Sequence, residues 1–191
     1  MLLISLLSFT ACGNEGASST TSTSAATPAP KLDGYELTAI PGLNAQQAVK
    51  RNASGKVMET GIVENGQRQG SWTTYSTTGY APIKIETYLN GQLHGAYLEM
   101  DNVGRLLKSA NYQLNQLHGP YAELRASIPQ VTATYKAGKL DGTYRLHTLQ
   151  NGKVNRTMEY KDGELEGAMR WYNDAGELMQ EKFYRHGEIV N

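Results

Sequence analysis

From Val131 the chain reads VTATY, and from Val154 it reads VNRTMEY. Strict alternation places Val131, Ala133 and Tyr135 on one side of an extended segment, and Val154, Met158 and Tyr160 on one side of another. A period of two is the signature of a β-strand with one covered face. Each segment closes on a tyrosine that opens a glycine-rich stretch, and this stretch recurs. It reads VENGQRQG from Val63, YLNGQLHG from Tyr88, YQLNQLHG from Tyr112, YKAGKLDG from Tyr135, YKDGELEG from Tyr160 and YRHGEIVN from Tyr184. The starts are 25, 24, 23, 25 and 24 residues apart. Such a period marks an array in which each unit covers its apolar face against its neighbours.

Within each unit the second glycine is followed two residues later by Trp72, Tyr97, Tyr121, Tyr144 or Met169, with Trp171 beside the last. A second turn signal follows at Gly79, Gly104, Gly152 and Gly176, replaced in one unit by ASIPQ at Ala126 to Gln130. Each unit therefore predicts a β-hairpin. Gly66, Gly70, Gly91, Gly95, Gly119, Gly138, Gly142, Gly163 and Gly167 are assigned to the turns that join one hairpin to the next. Tight hairpin turns need positive φ, which glycine adopts freely and asparagine more readily than most residues. Asparagine stands in for glycine at Asn115 and Asn191. The expected fold is all-β: an elongated, single-layer antiparallel sheet of repeated hairpins over residues 61–191, after a lead-in at 31–60 that ends in a degenerate unit of its own. Tyrosines at equivalent positions are expected to form two ladders along the sheet, with Trp72, Tyr97, Tyr121, Tyr144 and Trp171 as a candidate binding face.

Composition changes this picture at the N-terminus. The one cysteine among 191 residues is Cys12, which leaves no internal disulfide and no cysteine-based zinc site. Residues 2–11, LLISLLSFTA, form an apolar run too short to span a bilayer but suited to a signal peptide. Thr10 and Ala11 directly before the cysteine resemble a bacterial lipobox, which implies lipidation of Cys12 and removal of residues 1–11; Phe9 and the missing positive segment depart from that pattern. Residues 12–30 continue in Ser, Thr, Ala and Pro with little apolar surface, a tether that reaches roughly 25 Å as a flexible chain. Gly13 after the cysteine is, by resemblance to enterobacterial sorting, compatible with the outer membrane. The expected location is the cell envelope, held by a lipid anchor.

Lys plus Arg and Asp plus Glu number 18 each, and only Glu15 of them precedes residue 31. With no net field, a nucleic-acid partner is not expected. His94, His118, Asp141 and Glu166 share the column before the second glycine. Equivalent positions lie two strands apart, about 9–10 Å, too far to meet on one metal ion, so neither a metal nor a cofactor is expected. No serine elbow, HExxH helix, Walker loop or dinucleotide fingerprint occurs, and the chain is read as non-enzymatic.

The motif Tyr-x-x-Gly-x-x-x-Gly-x-(Trp/Tyr)-x-x-(Tyr) resembles the MORN repeat in its bacterial variant, over about 61–191. The lead-in DGYELTAIPGLNAQQAVKRNASGKVMETG, from Asp33, is similar to that of MORN-type lipoproteins of Bacteroidota-like bacteria. Val63, Asn115, Asn191 and Met169 depart from the motif. The extended face of such an array, delivered by the anchor, makes a membrane-anchored scaffold for an unknown envelope protein the expected role; the resemblance to YwqK-type proteins implies an antitoxin as the alternative, and an aromatic platform for envelope glycans is the third reading. The sixth copy stops mid-unit, so a last strand at about Leu178 to Tyr184 is expected to lack a partner and to offer an edge for self-association.

Overall fold

The computed structural model describes residues 32–78 and 80–190. The signal peptide, Cys12, the tether to residue 30, Lys31, Gly79 and Asn191 lie outside the described residues. The rest forms one open antiparallel sheet without a helix among the described residues. Its strands are β1 (Glu36–Ala39), β2 (Ala45–Arg51), β3 (Val57–Glu64), β4 (Gln67–Tyr75) and β5 (Pro82–Leu89), then β6 (Gln92–Met100), β7 (Leu106–Gln113), β8 (Gln116–Arg125) and β9 (Ile128–Lys136). They continue as β10 (Lys139–Leu140), β11 (Gly142–His147), β12 (Val154–Lys161), β13 (Glu164–Tyr172), β14 (Leu178–Arg185) and β15 (Glu188–Val190). Each strand pairs with its neighbours in sequence; β10 and β11 both pair with β9, on either side of Asp141. The fold is the elongated single layer of repeated hairpins that the alternation predicts.

Two rows of turns border the sheet. Along one, the first glycine of each motif completes a two-residue turn with positive φ at both positions, as at Asn90 (49°) and Gly91 (75°). That conformation matches the right-handed twist of the flanking strands. Leu114 (50°) and Asn115 (66°) adopt it too, so a leucine takes the strained place at the copy whose glycine is missing. Along the opposite border, Ala126 and Ser127 make one more such turn, and longer loops are closed by a side chain: Asp101 Oδ1 accepts from the backbone of Val103 and Arg105, and Asn173 Oδ1 from Ala175 and Glu177.

The second glycine of each motif corrects the sequence reading. Gly70, Gly95, Gly119, Gly142 and Gly167 do not lie in turns. Each sits in a strand with positive φ, directly opposite an anchor tyrosine of the next strand: Tyr88, Tyr112, Tyr135, Tyr160 and Tyr184. A two-residue turn has room for only one of two glycines spaced by four. The other absorbs a β-bulge, as where Glu86 pairs Tyr97 while Tyr88 pairs Leu93, so that Thr87 alone faces three residues around Gly95.

A second correction concerns the end of the array. The strand at Leu178–Arg185 has partners on both sides, β13 and β15. The edges of the described sheet are β1 and the three-residue β15, because a two-residue turn at His186 and Gly187 folds the last motif back on itself.

With no second layer among the described residues, the core is small and lies near the N-terminal end. Ala48, Val63, Trp72 and Tyr88 are buried together, with Leu32, Tyr35 and Leu93 packed against them. Elsewhere the buried apolar positions are isolated small or flexible side chains, Ala110, Ala133, Met158 and Ala168; Ala110 lies between Tyr97 and Tyr121, Ala133 beside Tyr121 and Met158 beside Tyr144.

Candidate binding face

The bulges keep the anchor tyrosines on the same face as Trp72, Tyr97, Tyr121 and Tyr144. Counting across the strands, one row runs Trp72, Glu86, Tyr97, Ala110, Tyr121 and Ala133, then Tyr144, Met158, Met169 and Lys182, each residue opposite the next within a run. Large rings thus alternate with smaller partners up to Ala133. The anchor tyrosines lie diagonally, and ring pairs meet edge-on: Trp72 with Tyr88 at 6.4 Å, Tyr97 with Tyr112 at 5.7 Å, Tyr121 with Tyr135 at 5.3 Å and Tyr144 with Tyr160 at 6.2 Å between centroids. Edge-to-face contact is the geometry the ring quadrupoles favour. Both predicted ladders are therefore one interlocked surface.

The structure separates the five candidate contact residues. Trp72 is only 1% exposed and is no contact residue. Its indole drops onto Gly61, donates from Nε1 to the carbonyl of Ile62 at 3.1 Å, and is covered by Tyr35 from the lead-in. The Arg68 guanidinium stacks 3.9 Å from the ring centre and is tied to Glu59 at 2.6 Å and to the Tyr35 hydroxyl at 2.8 Å. Burial, and then the hydrogen bond to the Glu59 carboxylate, push the Tyr35 phenol up to about 12. Arg68 stands in the column that Leu93, Leu117, Leu140 and Leu165 fill in later units.

Tyr97 and Tyr121 are half-buried and polar at their tips. The Tyr97 hydroxyl donates to Glu99 at 3.2 Å, and that of Tyr121 donates to Glu123. Lys108 stands between the rings, 5.6 Å from Tyr97 and 5.3 Å from Tyr121. Burial first, and the neighbouring carboxylate second, raise the phenol of each above its ordinary value; for Tyr121 the hydrogen bond to Glu123 contributes most after burial. Lys84, Glu99, Lys108 and Glu123 are consecutive across the strands, so charges of alternating sign face one another and neutralise this part of the face.

Beyond Glu123 that row changes character. It continues as Val131, Leu146, Arg156, Trp171 and Gln180. Here a cleft of about 500 Å³ opens between Tyr135, Tyr144, Tyr160, Leu146, Met158 and Arg156. Tyr144 and Trp171 thus remain as candidate contact residues, joined by Tyr135, Tyr160 and Arg156, which the column reading missed.

No protein-family model and no curated protein matches this chain.

In the column before the second glycine, four of the five side chains tie units together, whereas the buried Nδ1 of His94 has no hydrogen-bond partner among the described residues. Gln69 accepts from the backbone N–H of Asn90 at 2.8 Å, His118 from Ala137 at 3.4 Å, Asp141 from Asp162 at 3.3 Å and Glu166 from His186 at 2.8 Å. Each side chain therefore receives the turn of the following unit. Beside it the backbone does the same: the N–H groups of Gly91, Gly138, Gly163 and Gly187 donate to the carbonyls of Arg68, Leu117, Leu140 and Leu165. Among the described residues no cluster of three or more His, Cys, Asp or Glu side chains is placed to hold a metal ion.

Proposed function

We propose that this chain is a non-enzymatic lipoprotein of the bacterial cell envelope, anchored through Cys12, whose open sheet is a scaffold for protein–protein interaction. The observation that carries the reading is the continuous aromatic face of a one-layer sheet, with no second layer among the described residues to cover it. Half-buried tyrosines with an apolar body and a wet hydroxyl suit a recognition surface, since they give contact area at low entropic cost. The lipobox-like segment and the tether support display from a membrane, and the hairpin period supports the likeness to MORN-repeat lipoproteins. Self-association through the β1 or β15 edge belongs to the same proposal, because among the described residues each pairs on one side only.

The test is crosslinking and pull-down from native membranes, with wild-type protein beside Cys12→Ala. Wild type is expected in the membrane fraction with a reproducible crosslinked protein, and the variant in the soluble fraction. A wild-type protein that fractionates as soluble, or crosslinks to no protein, overturns the reading.

A further inference from the structure

The aromatic face is not uniform, and its asymmetry identifies one place on it. Toward the N-terminus the cations are spoken for: Arg68 by Glu59, Lys84 by Glu86 at 3.2 Å, and Lys108 by two rings between flanking glutamates. Arg156 has neither. Among the described residues its guanidinium makes no ion pair and no side-chain hydrogen bond, standing 5.5 Å from the Trp171 ring. The nearest carboxylate in its row toward the N-terminus, Glu123, is three strands away, about 14 Å at the usual strand spacing.

The cleft beside Arg156 has matching chemistry. Its walls are tyrosine, leucine and methionine, it contains no acidic side chain, and its second cation is Lys139, at the border where the tight turns lie. Arg156 and Lys139 stand at opposite ends of the cleft along the strand direction. Five residues of strand separate their levels, since Lys139 lies opposite Lys136 and Arg156 is level with Val131, roughly 17 Å at 3.3 Å per residue; in an extended peptide, six residues is a spacing that spans this distance and keeps both side chains on one face.

An apolar trough with an unmatched positive charge at each end selects its occupant by charge. Resting on the scaffold reading above, the geometry points to an extended, acidic peptide segment of a partner protein, with two carboxylates about six residues apart and apolar side chains between them on the same side. The apolar side chains enter between Tyr144 and Tyr160. One carboxylate meets the Arg156 guanidinium, which offers a planar fork suited to it. The other reaches Lys139.

The probe is the acetylated, amidated heptapeptide Asp-Ser-Leu-Ser-Leu-Ser-Asp, whose side chains at alternate positions share one face. Binding to the full chain is followed by Trp171 fluorescence, with Trp72, buried at the far end, as internal reference. The acidic peptide is expected to bind roughly tenfold or more tightly than the same peptide with lysine at both ends, and Arg156→Gln to lose that difference while its thermal melt matches wild type. Equal binding of the two peptides, unchanged binding by Arg156→Gln, no binding at all, or equal competition by an acidic oligosaccharide such as oligogalacturonate overturns the inference. Crosslinking from membranes with Arg156→Gln separates it from the broader reading. A partner retained by that variant removes the cleft but leaves the scaffold, whereas a wild type that captures no protein removes the scaffold.

Discussion

The indole of Trp72 lies over the α-carbon of Gly61 so closely that a β-carbon there would stand 2.1 Å from the nearest ring atom. Gly61 has an ordinary strand conformation, so its role is space and not backbone freedom. The buried cluster that begins the array depends on this one missing side chain.

Gly61→Ala is expected to destabilise the protein by about 1–3 kcal/mol, the range for an overpacked core, read as a lower urea midpoint with an unchanged slope. Combined with Trp72→Leu, the effect is expected to be far from additive, because the smaller side chain leaves room for the methyl group. Additive losses would show that the two residues do not compete for the same space.

Gly142 has a different task. Its φ of +113° disfavours any L side chain, and a β-carbon would meet Thr134 at 3.4 Å on the preceding strand. Gly142→Val is expected to cost about 1–3 kcal/mol through backbone strain. Lys161→Ala, at an exposed strand end, is expected to stay within about 0.5 kcal/mol. Melting curves that coincide for the two variants would contradict the bulge assignment.

The Arg68–Glu59 pair is the deepest ionic contact of the described sheet, with side chains 5% and 16% exposed. Arg68→Met leaves a carboxylate in that setting without its cation, with an expected loss of about 3–5 kcal/mol. Replacing both partners, Arg68→Met with Glu59→Leu, is expected to recover much of it. A double variant less stable than Arg68→Met alone would show that the pair is not the source of the loss.

Tyrosine burial also sets a response to alkali. In the folded state the phenols of Tyr35, Tyr88, Tyr97, Tyr112, Tyr121, Tyr135, Tyr144 and Tyr160 are all raised, with burial the leading cause in each. A raised folded value means that the native state keeps a proton which the unfolded chain has released. The stabilisation is fully present below about pH 10, the unfolded value, and is lost as pH rises through the folded values, which for Tyr35 is about 12. Stability is thus expected to fall steeply between about pH 10 and 12, with phenolate absorbance rising together with the loss of β-structure. Phenolate formation well before unfolding, near the ordinary tyrosine value, would show that these rings are not shielded.

The hairpins were legible in the sequence because their causes are local. Alternation at Val131 to Tyr135 needs only neighbours, and the Asn90–Gly91 turn needs only two residues that accept positive φ. The bulge at Gly142 was not separable from a turn, since both require the same backbone conformation and only pairing with Tyr160 distinguishes them. The burial of Trp72 was hidden for another reason: it is covered by Tyr35, 37 residues earlier and outside the repeat. A signal did exist in Arg68. An arginine in a column otherwise filled by leucine marks a unit whose environment differs from the rest, and the free Arg156 stands out in the same way once the rows are aligned.

The placement of the core near the first strands gives the molecule a stiff base and a lightly held tip. Each later unit is fixed only by its neighbour, through ladder bonds and the turn-to-turn bonds such as Gly163 to Leu140. Opening should therefore begin at the C-terminal end and travel inward one hairpin at a time, so that amide exchange grades from slow near Val63 to fast near Phe183. The cleft at Arg156 lies six to eight strands beyond β3, about 30–40 Å along the sheet. If the chain is tethered through its N-terminus, the base stands beside the membrane and the cleft is carried out beyond it, on the part of the molecule freest to adjust to whatever it grips.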